Sequence, residues 1–313
     1  MSFRTTNPGG RKTRPPASLQ TPRPFAFSTV LALAGLTAIF FLLREGQTVG
    51  GATGSVQVVG SESMRPVVAA CAEAFMAKNP KADIVVKGGG SGDGVAAILH
   101  GIADVGMTSR DLTQRERDYA ASKGIELSEF QLARDGVTVI VNSASRIAAL
   151  DFDQLQAVFT GRIRNWQELG GDDAEITAFA RAEGSGTASL FGDRVLKGAP
   201  YASSVTQLPT NEAIVAEVAA RAGAIGYTSL GALRTARTGV KPLALRIDEQ
   251  LQAAMPTADE VRSGRYPLSR TLHLIGPGRA TDTARAFVDF CIGPAGQSLV
   301  HKAGYIGSAT GSE

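Results

Sequence analysis

Apolar and polar positions along this chain switch between two spacings. Residues 55–60 (SVQVVG) form a short apolar run that closes on glycine, and from Pro66 onward Val67, Cys71, Ala74 and Phe75 fall on one helical face. The unit of strand, loop and helix then recurs. Residues 83–87 (DIVVK) read as a strand, 88–94 as a glycine-rich loop and 95–100 as a short helix; 104–107 (DVGM) read as a strand, followed by 108–111 (TSRD) and a charged helix starting near Thr113. Such alternation predicts an α/β protein with an open, mainly parallel sheet. Residues 136–142 (GVTVIVN) form a longer apolar strand suited to pass from one lobe to another. A second α/β region covers 152 to about 237, 240–245 (VKPLAL) leads back, and the C-terminal part offers a strand at 271–275 and an amphipathic helix at 284–292. No long internal repeat interrupts this order.

One stretch breaks the pattern. Residues 25–43 (FAFSTVLALAGLTAIFFLL) hold 19 positions without a charge, about 28 Å as a helix against a hydrocarbon layer roughly 30 Å thick. The five bases before it, Arg4, Arg11, Lys12, Arg14 and Arg23, face no acid. That asymmetry predicts a single-pass anchor in the cytoplasmic membrane, with 1–24 as a cytoplasmic basic tail, 44–54 as a linker and the rest on the periplasmic or extracellular side. A cleaved signal peptide, giving a free periplasmic protein, is the alternative; its apolar core would exceed the usual ~7–15 residues, and REGQTVGGATGS offers no clear A-x-A site. No cysteine directly after the run offers a point for lipid attachment.

Charge and composition narrow the function classes. The formal charge of +3 divides unevenly: residues 1–45 carry six bases and one acid, a local +5, which leaves −2 for residues 46–313. A mildly acidic body has no stripe for phosphate backbones, so a nucleic-acid partner is not expected. Two cysteines, Cys71 and Cys291, are far too few and too distant for a disulfide-dense scaffold or a CxxC zinc or redox site. His100, His273 and His301 lack paired spacing for a metal, and no GxSxG elbow occurs, so neither a metal, a cofactor nor an enzyme is indicated.

Four loops carry the candidate chemistry: 60–64 (GSESM), 88–92 (GGGSG), 108–111 (TSRD) and 181–187 (RAEGSGT). Each follows a strand, the edge at which open α/β sheets bind ligands. Each offers hydroxyls, glycine N–H groups or an arginine, and three lead into helices whose first N–H groups point outward. Arg110 and Arg181 each present a planar fork for two oxygens. The shared ligand is therefore expected to be a compact anion with several oxygens. A GxGxxA match at Gly92, Gly94 and Ala97 also fits a dinucleotide fingerprint, but it leaves the later EGSGT loop without a purpose.

In order along the chain, GSES, GGGSG, DVGMTSRDL, ARDGVTVIVN, FTGRIRNWQELGG, RAEGSGT, AIGYTSL and YPLSR resemble the phosphate-binding proteins of ABC phosphate transporters, over roughly 55–307. GSGT after an arginine, with GxxxNW some fifteen residues earlier, is the strongest pair. The resemblance implies a two-lobed periplasmic-binding-protein-like fold of type II with a double crossover, lobe 1 being 55–138 and 240–313 and lobe 2 139–239. It implies a monomer that captures inorganic phosphate and delivers it to ABC permease subunits. A sensor without transport, or a binder of a related oxyanion on the same fold, is the alternative.

Carried residue by residue, the resemblance assigns Ser63 and Ser91 as hydroxyl donors, Met64 as a backbone N–H donor, Arg181 as the charged clamp, and Ser185, Gly186 and Thr187 as N–H and hydroxyl donors. Some family members carry Asp where Arg110 stands here. The branch with SR and a later DG points instead to Ser109, Arg110 and Asp135, and Glu183 takes the place of the acid that backs the arginine. Phosphate near neutral pH still holds a proton to donate to a carboxylate, and sulfate holds none, so Asp135 or Glu183 is expected to set selectivity. In the resembled fold both chain ends build the first lobe, which leaves Cys71 and Cys291 open either to a disulfide or to two buried thiols.

Overall fold

The computed structural model describes residues 52–235, 239–247 and 252–308. The apolar segment 25–43 and the basic tail before it lie outside the described residues. Among the described residues no helix is long and apolar enough to cross a membrane.

Twelve strands are described: β1 Gly54–Gly60, β2 Ala82–Lys87, β3 Val105–Thr108, β4 Leu127–Asn142, β5 Ala149–Asp151, β6 Thr177–Arg181, β7 Thr206–Leu208, β8 Ala224–Ser229, β9 Val240–Pro242, β10 Ala244–Arg246, β11 Ser269–Pro277 and β12 Ile306–Gly307. The main sheet runs β2-β1-β3-β11-β4-β8-β6-β7, with β9 and β12 also on β4, while β5 pairs with β10 apart from it. The helices are α1 Arg65–Lys78, α2 Ser91–Leu99, α3 Gln114–Ser122, α4 Phe152–Phe159, α5 Gly186–Phe191, α6 Asn211–Ala220, α7 Leu230–Thr235, α8 Ala258–Arg262, α9 Asp282–Ile292 and α10 Pro294–Lys302.

The sheet is mixed where a mainly parallel one was expected. β1 runs parallel to β2 and β3, and β6 to β7 and β8, but β11 lies antiparallel between β3 and β4, and β4 is antiparallel to β8. The cause is β4, which continues for 16 residues. Its first part, up to Gly136, pairs with β11, and from Val137 it pairs with β8 and β9. Its second half is buried at every position, which is why that part of the sequence reads as an unbroken apolar run without alternation.

Two large apolar cores flank this strand. One gathers Val56, Val58, Val68, Phe75, Met107, Leu272, Leu274 and Phe287; the other gathers Val139, Leu155, Phe159, Phe191, Ile225 and Tyr227. Full burial of each such side chain contributes about 1.5–3 kcal/mol. Leu243, Leu245, Val261, Tyr266 and Leu268 belong to the second core. Residues 240–246 and 261–268 therefore pack with the half from which they were expected to lead away, because β9 continues the pairing of β4 and β10 pairs with β5.

Local signals fix several elements. Thr113 caps α3 and Glu116 returns the bond to the Thr113 N–H, a complete capping box. Asp151 and Gln154 do the same for α4. α2 starts at Ser91, four residues before the expected helix, so SGDG forms its first turn. The glycines serve the packing there: a Cβ at Gly94 would stand 2.8 Å from the carbonyl oxygens of Met107 and Val59, so this helix approaches the sheet more closely than any side chain allows.

Candidate functional site

The loops at the ends of β1, β3 and β6 and the first turn of α2 meet where the two cores adjoin. β1 ends at Gly60, with φ +142° and no room for a Cβ beside the Met107 carbonyl. The chain then turns through 61–64, placing the Ser63 hydroxyl 3.1 Å from the Thr187 hydroxyl. Asn211 Nδ2 donates to Ser63 Oγ at 3.0 Å and Arg270 Nη2 at 3.2 Å. Tyr305 donates its hydroxyl to the Ser63 carbonyl.

A second pair of hydroxyls lies beside the first. Ser91 Oγ is 3.2 Å from Ser109 Oγ and accepts from the Ser109 N–H at 3.0 Å. Gly186 closes over this pair so tightly that a Cβ on it would be 2.5 Å from both oxygens. Ser185 caps α5 by accepting from the N–H groups of Thr187 and Ala188, which points Thr187 at Ser63. The Gly92 N–H also reaches the Gly184 carbonyl at 3.4 Å. The two halves therefore touch across the site, and Ser63, Ser91, Ser109, Ser185 and Thr187 are all buried.

Two guanidinium groups and one carboxylate carry the charge. Arg270 and Asp135 stand directly opposite each other on β11 and β4. Arg270 donates Nη2 and Nε to Asp135 Oδ2 at 2.6 and 2.9 Å, and Nη1 to Thr187 Oγ1 at 2.9 Å. Asp135 Oδ1 accepts from the Leu230 N–H at 3.0 Å. Burial pushes the Asp135 carboxyl up, against the opposing pull of Arg270 and of the Leu230 and Gly136 N–H groups.

Arg181, at the end of β6, donates Nη1 to Asn211 Oδ1 at 2.5 Å and Nη2 to the Pro209 carbonyl at 2.7 Å. Its backbone N–H is held by the Tyr227 hydroxyl at 3.1 Å. Its Nε is buried without a partner. Burial and the nearby Arg270 charge pull the Arg181 guanidinium down to about 10, with Glu212 and Glu62 among the weaker opposing charges. Arg181, Arg270 and Asp135 are 1%, 7% and 0% exposed, so the cluster holds one surplus positive charge out of water. An anion is the group that compensates it.

The structure brings together Ser63, Ser91, Ser109, Asp135, Arg181, Ser185, Gly186 and Thr187 from the expected set. Three expectations are corrected. Arg110 points away: Thr108 Oγ1 and the Arg110 backbone form a tight turn, and the guanidinium forks onto Glu116 at 2.7 and 2.9 Å. Glu183 is exposed on its loop and does not back Arg181; that place is taken by Asn211 and Pro209. The Met64 N–H closes a turn onto the Ser61 carbonyl at 3.0 Å, though Met64 itself is buried. The proton-accepting role expected of Asp135 also meets an obstacle, because both carboxylate oxygens already accept from Arg270, Leu230 and Gly136. Arg270, Asn211 and Tyr305 join the site from outside the expected set. Arg270 ends the YPLSR run, the one signal in the sequence that marks it.

Residues 46–295 match the model of the PBP superfamily domain. The phosphate-binding protein PstS of Bacillus subtilis (strain 168) is 36% identical over 256 residues, covering 82% of this chain and 81% of that protein. Among solved structures, a phosphate ABC transporter substrate-binding protein from Clostridium perfringens with bound phosphate is 30% identical, with a TM-score of 0.73, covering 82% of this chain and 100% of that one. An ABC-type phosphate transport receptor from Vibrio cholerae is 27% identical, with a TM-score of 0.67, over 81% and 100% of the two chains.

Proposed function

The chain belongs to the PBP superfamily and, within it, to the PstS phosphate-binding proteins, and from that premise we propose that it captures inorganic phosphate at the buried arginine cluster and hands it to an ABC phosphate permease. The single observation that carries the reading is the surplus positive charge of Arg181 and Arg270 over Asp135, ringed by the hydroxyls of Ser63, Ser91, Ser109 and Thr187. A tetrahedral oxyanion meets such a set with charge at one side and hydroxyl donors around it. Arg181 Nε is the donor still unmatched.

Binding and release require the halves to separate. In this reading the chain crosses between lobes in β4 near Gly136 and again near Leu268, the positions at which strand pairing and core membership change. Opening about that double crossover exposes the hydroxyls, and phosphate favours the closed form because only there do donors from both lobes reach it. In this reading the 19 uncharged residues 25–43 hold the exported lobes to the cytoplasmic membrane, and the charge asymmetry of the flanks sets their orientation.

Calorimetric titration of the full chain with phosphate, and separately with sulfate, tests the reading. Saturable binding of one phosphate per chain is expected. Absence of phosphate binding overturns it, and the sulfate titration shows whether the site discriminates without a free carboxylate acceptor.

A further inference from the structure

Away from the arginine cluster, one pair of reactive groups has no role in anion binding. Cys71 lies on α1 and Cys291 on α9, 220 positions apart in sequence, yet both belong to the first core and both are 0% exposed. The two helices pack directly on each other, and each thiol shifts the other: Cys291 holds the Cys71 thiol down against its burial, while burial and Cys71 push the Cys291 thiol up. Phe75 and Phe287, each one helical turn from its cysteine, meet edge to face with centroids 5.6 Å apart, and Phe290 also packs on Phe75 at 5.6 Å. The two helices are thus held in register by rings beside the sulfurs. Among the described residues no group of three His, Cys, Asp or Glu side chains is placed to share a metal ion, so zinc ligation does not explain the pair.

We propose that Cys71 and Cys291 are oxidised to an intramolecular disulfide joining α1 to α9; in the cell this rests on the export proposed above. The oxidant is a protein disulfide of the thiol–disulfide exchange class. One cysteine thiolate attacks one sulfur of that disulfide and expels the other as a thiolate, giving a mixed disulfide. The second cysteine's thiolate then displaces the oxidant's remaining sulfur. Two protons leave the cysteines, two electrons pass to the oxidant, and the oxidant ends as a dithiol. Since both sulfurs are buried in the folded lobe, the exchange takes place as the lobe folds or opens locally.

The full chain purified under reducing conditions, then unfolded and refolded in a glutathione redox buffer, tests the pairing without depending on export. Intact mass is expected to fall by two hydrogens with no glutathione adduct, and reduction is expected to lower Tm by roughly 5 °C or more. A chain that keeps both thiols, or carries glutathione on each, overturns the proposal. Protein taken from cells without reductant and denatured in N-ethylmaleimide is expected to take no label until it is reduced, and then two; two labels before reduction overturn the proposal in the cell. The C71A/C291A variant is expected to bind phosphate within about twofold of the parent, because neither thiol bonds a residue of the anion cluster. Failure of the disulfide and failure of phosphate binding are therefore read separately.

Discussion

Arg270 and Asp135 depend on each other across two strands. Arg270→Gln leaves Asp135 buried without its partner, which costs about 3–5 kcal/mol of stability, and it removes one of the two positive charges. Chemical denaturation and phosphate titration of this variant are expected to show both losses; unchanged phosphate affinity would remove Arg270 from the site. Glu183→Ala is expected to alter phosphate affinity and phosphate-over-sulfate preference by less than about threefold, since the side chain is exposed. A larger change in the titration would restore the role first expected of it. Gly186→Ala drives a Cβ against Ser91 Oγ and Ser109 Oγ, so weaker binding with little loss of stability in the open form is expected from titration and thermal melting. The residues of RAEGSGT were legible because charge, glycine and hydroxyl stand together in one short run. Arg270 was not: a single arginine at the start of a strand reads as exposed until the strand carrying Asp135, 135 positions away in sequence, is known to lie beside it. For Arg110 the residue type was right for an anion, but its direction is set by a turn and by Glu116.

At the scale of elements, α3 shows how capping chemistry takes Arg110 out of the site. Burial raises the Glu116 carboxyl, but the Arg110 guanidinium and the Thr113 backbone and hydroxyl outweigh it, leaving the group below the usual carboxylate range. Its stabilising effect is present above the unfolded value of roughly 4.3 and is lost as pH falls through the lower folded value. Glu116→Gln is therefore expected to destabilise the protein by about 1 kcal/mol at neutral pH, with the deficit shrinking toward pH 3 in denaturant melts. A deficit independent of pH would contradict the ion pair. Most strands and helices could be read from period, as at 55–60 and in 284–292, while the caps that fix their starts show only in the structure. The start of α2 at Ser91 could not, because glycines there read as loop until the carbonyls of Val59 and Met107 are seen pressing on the helix. The antiparallel course of β11 and the placement of 240–246 and 261–268 in the second core depend on pairing between distant segments, which no local pattern encodes.

For the whole molecule, the acidic balance of residues 46–313 means that phosphate is held by local donors and not drawn in by a broad positive field. Its affinity is accordingly expected to change little with salt compared with that of a nucleic-acid binder. In the function proposed above, one phosphate sits at the buried surplus charge between the lobes. Equilibrium dialysis of the full chain and of Arg181→Gln against radiolabelled phosphate tests it most directly. One phosphate bound per parent chain is expected, with a loss of affinity of roughly thirtyfold or more in the variant, the effect of removing a buried charged partner worth about 2–5 kcal/mol. No binding by the parent chain, or equal binding by a folded variant, would contradict it.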